Sequence, residues 1–169
     1  MQVAVFSDSH DNLDALRTAI GKCKDRGLTQ AIHLGDYCAP FVMDVLGESS
    51  LQWVGVWGNN DGDRVRSLQT AGRYEGRIDI AADDFREHEV GGRRIFLTHY
   101  PQIGRIAALS GQYEAVFHGH THLAAQEIVE VQEKRVLLAN PGEIYGKRFG
   151  KPSFGVYDSE NHTFEHVWL

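Results

Sequence analysis

The chain has 169 residues, an ordinary length for one domain and enough to bury a sizeable core. Hydrophobic residues make up 42%, charged residues 24% and aromatics 10%, a balance that excludes a disordered tail or a membrane bundle. The formal charge of −6 argues against general nucleic-acid binding, which draws on surplus Lys and Arg; a small phosphate-bearing substrate stays open, because bound metal reverses the local sign of charge.

The first run, Gln2–Ser7, is short, apolar and rich in Val and Phe, as a buried strand is. No basic leader precedes it, and no stretch approaches the ~20 apolar residues of a membrane span, so the expectation is a cytoplasmic protein with no membrane partner. From Asn12 to Arg26, apolar residues at Leu13, Leu16, Ala19, Ile20 and Cys23 fall at helical spacing, and Gly27 offers a stop. Ala31–Leu34 predicts a second strand, Pro40 the start of a short helix through about Leu46, and Leu51–Trp57 a third strand. Strands alternating with helices predict parallel β-α-β units.

The second half reads as strands at Ile78–Val90, Arg93–Thr98, Ala115–Phe117, Ala124–Val131, Lys134–Ala139, Ser153–Tyr157 and Thr163–Val167. Gly91-Gly92 is a hairpin signal, and one helix is expected at Gln102–Leu109 after Pro101. Trp53, Trp57 and Trp168 fall in or beside these strands and are expected to pack the core. Cys23 and Cys38 form no CxxC pattern and read as reduced thiols. With no linker, repeat or low-complexity segment, residues 1–169 read as one domain, α/β at first and β-rich later.

Metal-type side chains recur immediately after the predicted strands. Asp8 and His10 follow the first, Asp36 the second and Asn59 the third; His99 follows Arg93–Thr98, and His120 and His122 follow Ala115–Phe117. In open α/β sheets the loops at the carboxyl ends of strands are where ligands bind, so these residues can meet in one cleft. Two carboxylates, one amide oxygen and four imidazoles, with no thiolate, suit Mn, Fe, Zn, Ni or Co better than Ca or a structural zinc. Seven side chains exceed what one ion takes from protein and suit two ions sharing a bridging carboxylate.

Each piece alone has a plainer reading: Asp8 as a helix cap, Gly35-Asp36 and Gly58–Gly62 as turns, His99 as a strand-end histidine. Three histidines within His118–His122 are harder to dismiss. The motifs D-x-H, G-D, G-N-x-D, T-H and G-H-T-H, in this order and each at a strand end, resemble those of the calcineurin-like metallophosphoesterase superfamily, and within it the small YfcE-like phosphodiesterase branch. The resemblance runs from Asp8 to Asn140-Pro141-Gly142. It implies an α/β fold of the α+β type, a four-layer sandwich of two mixed sheets flanked by helices. It also implies one metal at Asp8, His10 and His122, a second at Asn59, His99 and His120, Asp36 bridging both, and hydrolysis of a phosphate ester by a hydroxide held between the two ions, Mn first among the candidates.

Two positions depart from the family pattern. Many members read G-N-H-[DE], with that His as proton donor or phosphate contact; here it is Asn60, which can bond a phosphoryl oxygen but cannot deliver a proton. His118 is the residue placed to substitute. The residue after Asn140-Pro141-Gly142 is usually Ser, and here it is Glu143. Asp61 and Asp11 are candidates to orient the imidazoles, Lys147 and Arg148 to contact phosphate, and Tyr37, Cys38 and Tyr145 to line the pocket. His33, His88, His162 and His166 have no identifiable partner. The rival readings are a non-catalytic scaffold of this fold, as in a retromer subunit, and a phosphomonoesterase. A homo-oligomer is compatible with the alternation in the late strands.

Overall fold

A computed structural model describes residues 1–169. Its first sheet has six strands, β1 (Gln2–Phe6), β2 (Gln30–His33), β3 (Gln52–Gly55), β4 (Ile78–Ile80), β10 (Ser153–Asp158) and β11 (Thr163–Trp168), in the order β11-β10-β1-β2-β3-β4. The second has five, β5 (Phe85–Val90), β6 (Arg93–Thr98), β7 (Ala115–Phe117), β8 (Ala124–Val131) and β9 (Lys134–Pro141), in the order β5-β6-β7-β9-β8. Both are mixed: β1, β2, β3 and β4 run parallel, as do β6, β7 and β9, while β5, β8, β10 and β11 pair antiparallel. The helices are α1 (Leu13–Asp25), α2 (Val42–Glu48), α3 (Arg64–Ala71) and α4 (Pro101–Leu109).

The two-residue period of β1 explains the layering. Val3 and Val5 enter the core between the sheets, against Ile32, Leu97, Phe117 and Tyr157. Ala4 and Phe6 point the other way, into a cluster with Leu16, Ala19 and Cys23 of α1 and Val42, Met43 and Leu46 of α2. Outside the second sheet, Phe96, Val116, Val136 and Leu138 meet Ala107 and Ala108 of α4. The result is helix, sheet, sheet, helix: the four-layer sandwich that the family resemblance implies. Each large side chain fully buried here contributes roughly 1.5–3 kcal/mol. No helix is long and apolar enough to cross a membrane.

Two expectations change, and one helix was not anticipated. The run Ile78–Val90 is two strands in different sheets, β4 and β5, because the chain crosses between the layers at Ala81–Asp84, where the Asp84 carbonyl accepts from Thr98 Oγ1 (3.1 Å). Helix α3 escapes the apolar pattern because Val65 and Leu68 face solvent while Ser67, Thr70 and Ala71 are buried; its signal is the Asp63 cap, which accepts from Arg66 N. Trp168 is half exposed at the end of the edge strand β11, unlike the buried Trp53 and Trp57. The Gly91-Gly92 hairpin stands as expected, with both glycines at positive φ and Val90 opposite Arg93.

The β2 and β3 loops touch backbone to backbone at Gly35. It sits at φ +94°, and a Cβ there would lie 2.5 Å from Gly58 N and 2.7 Å from Trp57 C. Gly35→Ala is therefore expected to cost about 2 kcal/mol or more, because neither neighbour is a side chain that can swing away. Urea unfolding should show a lower midpoint at unchanged slope; an unshifted midpoint would mean the loops do not meet this way.

Candidate metal centre

Because β1, β2 and β3 are mutually parallel, and β6, β7 and β9 likewise, six strands from two sheets release their loops at one end of the sandwich. There the seven side chains named from sequence converge. Donor atoms of Asp8, His10, Asp36 and His122 all lie within 4.8 Å of one another. His10 Nε2 is 3.3 Å from Asp36 Oδ2, and His122 Nε2 is 3.3 Å from Asp8 Oδ1. On the other side of Asp36, Oδ2 is 3.5 Å from His99 Nε2. His99 Nε2 and His120 Nδ1 are 3.2 Å apart and lie 3.0 and 2.8 Å from Asn59 Oδ1. Asp36 thus belongs to both groups.

The outer nitrogens show which ring atoms carry protons. His99 Nδ1 is 2.8 Å from the Leu34 carbonyl, so it donates there and turns the Nε2 lone pair toward Asn59 and Asp36. His122 Nδ1 is 2.6 Å from Glu143 Oε2, which likewise leaves its Nε2 lone pair facing Asp8. His10 Nδ1 lies 3.3 Å from Cys38 Sγ. Acceptors therefore face acceptors, and Asp8 Oδ1 and His10 Nε2 are buried with no hydrogen-bond partner. Such convergence repels unless a cation sits among it, and the donor set fits divalent metal. Without a cation a proton takes its place: burial depresses the His10 pKa, but contacts with Asp36 and Asp8 outweigh it and lift it to about 12, and a bound cation would displace that proton. For Asp36, burial acts upward, yet His10, His99 and two N–H groups of Asn60 hold the carboxyl below its ordinary range.

The backbone is strained to deliver these groups. Asp8, His10, Asp36, His120 and His122 all have positive φ, as do the neighbouring Asp11 and Cys38. Left-handed non-glycine residues collect where surrounding structure over-determines them, typically at functional sites. Here the loops lock one another: Asp8 N–H donates to the Gly35 carbonyl (3.1 Å), His10 N–H to the Asp36 carbonyl (3.1 Å) and His120 N–H to Asp8 Oδ2 (3.0 Å). Gly119 has no room for a Cβ against Ser7 and Asp8. Asn140 pins the histidine loop, its Nδ2 donating to the Gly119 carbonyl and Thr121 Oγ1 while its Oδ1 accepts from Gly142.

Several residues take roles other than those expected. His118 stays outside the cluster: its ring lies beside Gly104 of α4, with Nδ1 3.2 Å from the Gly119 carbonyl, and burial lowers its pKa. Its imidazole turns toward α4 and not toward the donor cluster, because the residue after β7 alternates to the other face of the sheet. Asn60 donates N–H and Nδ2–H to the two oxygens of Asp36 (2.8 and 2.7 Å), so it steadies that carboxylate. Asp61 and Asp11 hold backbone, not imidazoles: Asp61 accepts N–H from Gly58 (2.6 Å), Asp36 (3.0 Å) and Cys38 (2.9 Å), and Asp11 accepts from Ala39 (3.0 Å). Tyr37 is fully buried, stacked on His33 and donating to its carbonyl, and so packs the core. His33 does have partners. Gly35 N–H donates to its Nδ1 and its Nε2 faces Ser9 Oγ, so it ties two site loops together while burial drops its pKa to about 3. The Tyr145 ring stands 5.2 Å from His10, Tyr100 stands 5.3 Å from His99, and Lys147 Nζ sits 5.7 Å over the Tyr145 ring.

Glu143 was missed as a functional residue. Its signal was positional, since it follows β9 as the other site residues follow their strands.

Fold and donor cluster together define a metal-binding α/β sandwich with its site at the strand ends. The chain belongs to the calcineurin-like phosphoesterase superfamily, whose domain description matches residues 1–162. A phosphodiesterase of Methanocaldococcus jannaschii is 32% identical over 171 aligned residues, covering 100% of this chain and 99% of the relative. A solved archaeal phosphodiesterase superposes with a TM-score of 0.90 at 32% identity, all of both chains being covered. The fold is also that of Yfce, a phosphoesterase from E. coli, with a TM-score of 0.68 at 20% identity, covering 99% of this chain and 98% of that one.

Replacing Asp61 by Asn removes an acceptor from beneath both the Asp36 and Asn59 loops. Each backbone N–H left unpaired is expected to cost about 1–3 kcal/mol, and Mn2+ affinity should fall with it. Asp63→Asn, at the α3 cap, should leave that affinity unchanged. Urea unfolding and calorimetric titration of both variants check this; equal Mn2+ affinity for Asp61→Asn and wild type would overturn the role.

Proposed function

We propose that residues 1–169 form a single metallophosphoesterase domain that hydrolyses small phosphodiesters with two divalent ions, Mn foremost and Zn, Fe, Ni or Co as alternatives. The observation that carries this reading is the convergence of seven oxygen and nitrogen donors on two neighbouring points that share Asp36, with lone pairs facing one another. Asp8, His10, Asp36 and His122 would hold one ion, and Asp36, Asn59, His99 and His120 the other. Bound there, divalent ions would lower the pKa of coordinated water to about 7 and stabilise charge on phosphoryl oxygens, so no protein base would be needed.

This chain's residues supply the rest. Asn60 and the Asp61-held loops keep Asp36 in place, and the outer partners Leu34, Glu143 and Cys38 fix the faces of three imidazoles. Lys147, folded over Tyr145 beside His10, would meet substrate phosphate. With Asn60 tied to Asp36 and His118 turned away, the cluster offers no imidazole to protonate a leaving group. That favours diesters whose leaving group departs without a strong acid, and the phosphodiesterase relatives support the same reading. A scaffold would have no need to keep seven donors together, five of them on strained backbone.

With Mn2+ present, the protein should turn over a bis-aryl phosphodiester faster than the matching aryl monoester. Thorough chelation should abolish turnover and Mn2+ should restore it. Changing only the outer partners of a ligand costs about 10–100-fold; Asp36→Ala, which removes the shared ligand itself, is expected to leave less than about one-hundredth of the wild-type rate and to lower metal content. Undiminished hydrolysis after metal stripping would reject the mechanism, and a faster monoester rate would reject the diester preference.

A further inference from the structure

Glu143 is fully buried, and both of its oxygens are engaged by different parts of the molecule. Oε2 lies 2.6 Å from His122 Nδ1, and Oε1 accepts the Phe149 N–H at 2.9 Å. Between these contacts the chain forms a strap beside the cleft. Ile144 N–H donates to the Ser7 carbonyl (3.1 Å), Tyr145 N–H to the Asp8 carbonyl (2.9 Å) and Asn12 Nδ2 to the Tyr145 carbonyl (2.7 Å). Beyond Gly146, at φ +67°, residues Lys147, Arg148 and Phe149 are exposed. Among residues Gly146–Lys151 the hydrogen bond that anchors this basic segment to the body is the one from Phe149 to Glu143.

We infer that Glu143 is a positioning residue that couples the metal centre to the Lys147-Arg148 strap: one oxygen orients His122 while the other fixes the strap over the substrate's phosphate. The inference rests on the divalent-metal reading above. A carboxylate on Nδ1–H raises the basicity of Nε2 and fixes its direction. A cation on Nε2 makes that N–H a better donor, which holds the Glu143 carboxylate in one position, and the Phe149 contact depends on that position. Coupling of this kind is reciprocal, so whatever loosens the strap weakens the metal. A serine, which the family pattern places at this position, has one short hydroxyl and cannot span both partners. A glutamine has one acceptor oxygen and can keep only one of them.

The test uses the full chain with Mn2+ as probe, reading Mn2+ affinity by calorimetry and tryptic cleavage after Lys147, the site that every variant below leaves open to trypsin, with and without the ion. In wild type, Mn2+ should slow that cleavage about fivefold or more. Glu143→Gln should bind Mn2+ about 10–100-fold more weakly and show no protection at saturating Mn2+. Phe149→Pro deletes the strap's N–H without touching the buried carboxylate. It should keep the wild-type circular dichroism, lose protection, bind Mn2+ more weakly and raise KM for a diester more than it lowers kcat, whereas Phe149→Ala should behave as wild type. Should Glu143→Gln fail to fold, Phe149→Pro carries the test. Cleavage indifferent to Mn2+ in a wild type that binds the ion and hydrolyses diesters would overturn this inference alone, as would a Phe149→Pro protein still protected by Mn2+. A wild type that binds no Mn2+ would overturn it together with the proposed function.

Discussion

Everything at this site follows from one electrostatic conflict: lone pairs of carboxylates, an amide and imidazoles are held within about a hydrogen-bond length of one another with too few protons to go between them. In the absence of a cation such groups repel, and the buried Asp8 Oδ1 and His10 Nε2 are left without a hydrogen-bond partner. The fold meets the conflict by rigidity. Five of the seven donors sit on left-handed backbone, each costing about 1–2 kcal/mol, against a net stability of ~5–15 kcal/mol for a whole domain. That much strain persists only where the neighbouring loops leave no alternative. Gly35, Gly58 and Gly119 let backbones pass at distances a Cβ would forbid, and Asp61 and Asn140 tie the crossing loops from beneath. An ion bound only by the folded state relieves the repulsion and shifts the folding equilibrium in the same direction. Occupancy of the centre and stability of the fold are therefore one linked quantity.

The layered core explains why loops so distant in sequence can be held this tightly. β1 buries both faces, Val3 and Val5 between the sheets and Ala4 and Phe6 under the helices, so its end at Ser7-Asp8 has nowhere to move. β2, β3, β6, β7 and β9 each release a loop at the same end of the sandwich. The two sheets face each other through aliphatic and aromatic side chains, and the polar groups that must not be buried there emerge together at the strand ends. Buried position and shared direction, and not proximity along the chain, set the geometry.

That logic also separates what was legible in the sequence from what was not. Strand ends and metal-type residues share local signals, so the seven donors and the alternation of β1, α1 and β2 could be read residue by residue. Helix α3 could not, because the face it buries is Ser67, Thr70 and Ala71, which apolar spacing does not register. The break between β4 and β5 is a tertiary event, a change of sheet without glycine or proline to mark it. The orienting groups were the hardest to see. Leu34 acts through its carbonyl and Cys38 through a sulfur, and neither role has a residue-type signature. Asp61 and Asp11 carry the right chemistry for orienting imidazoles but spend it on backbone N–H groups. Glu143 read as a departure from a familiar turn although it follows β9 just as Asp8 follows β1; only the 2.6 Å contact with His122 shows it belongs to the centre.

What remains in the cleft decides which esters it suits. The position from which a histidine would donate a proton holds Asn60, and that amide is already committed to both oxygens of Asp36. His118 faces the helix α4 side, and the imidazoles that do face the cleft are turned lone pair inward. The centre is therefore rich in Lewis-base donors for cations and poor in proton donors for leaving groups. On the proposed reading, charge stabilisation in such a site would come from bound cations and from cationic side chains at the rim, where Lys147 stacks on Tyr145 beside His10. A phosphodiester brings one negative charge and needs less of that neutralisation than a dianionic monoester. By the same reading, a cleft whose imidazoles present no proton would suit diesters whose leaving group is stable without one, so the asymmetry between donors and acid groups would itself be a specificity device.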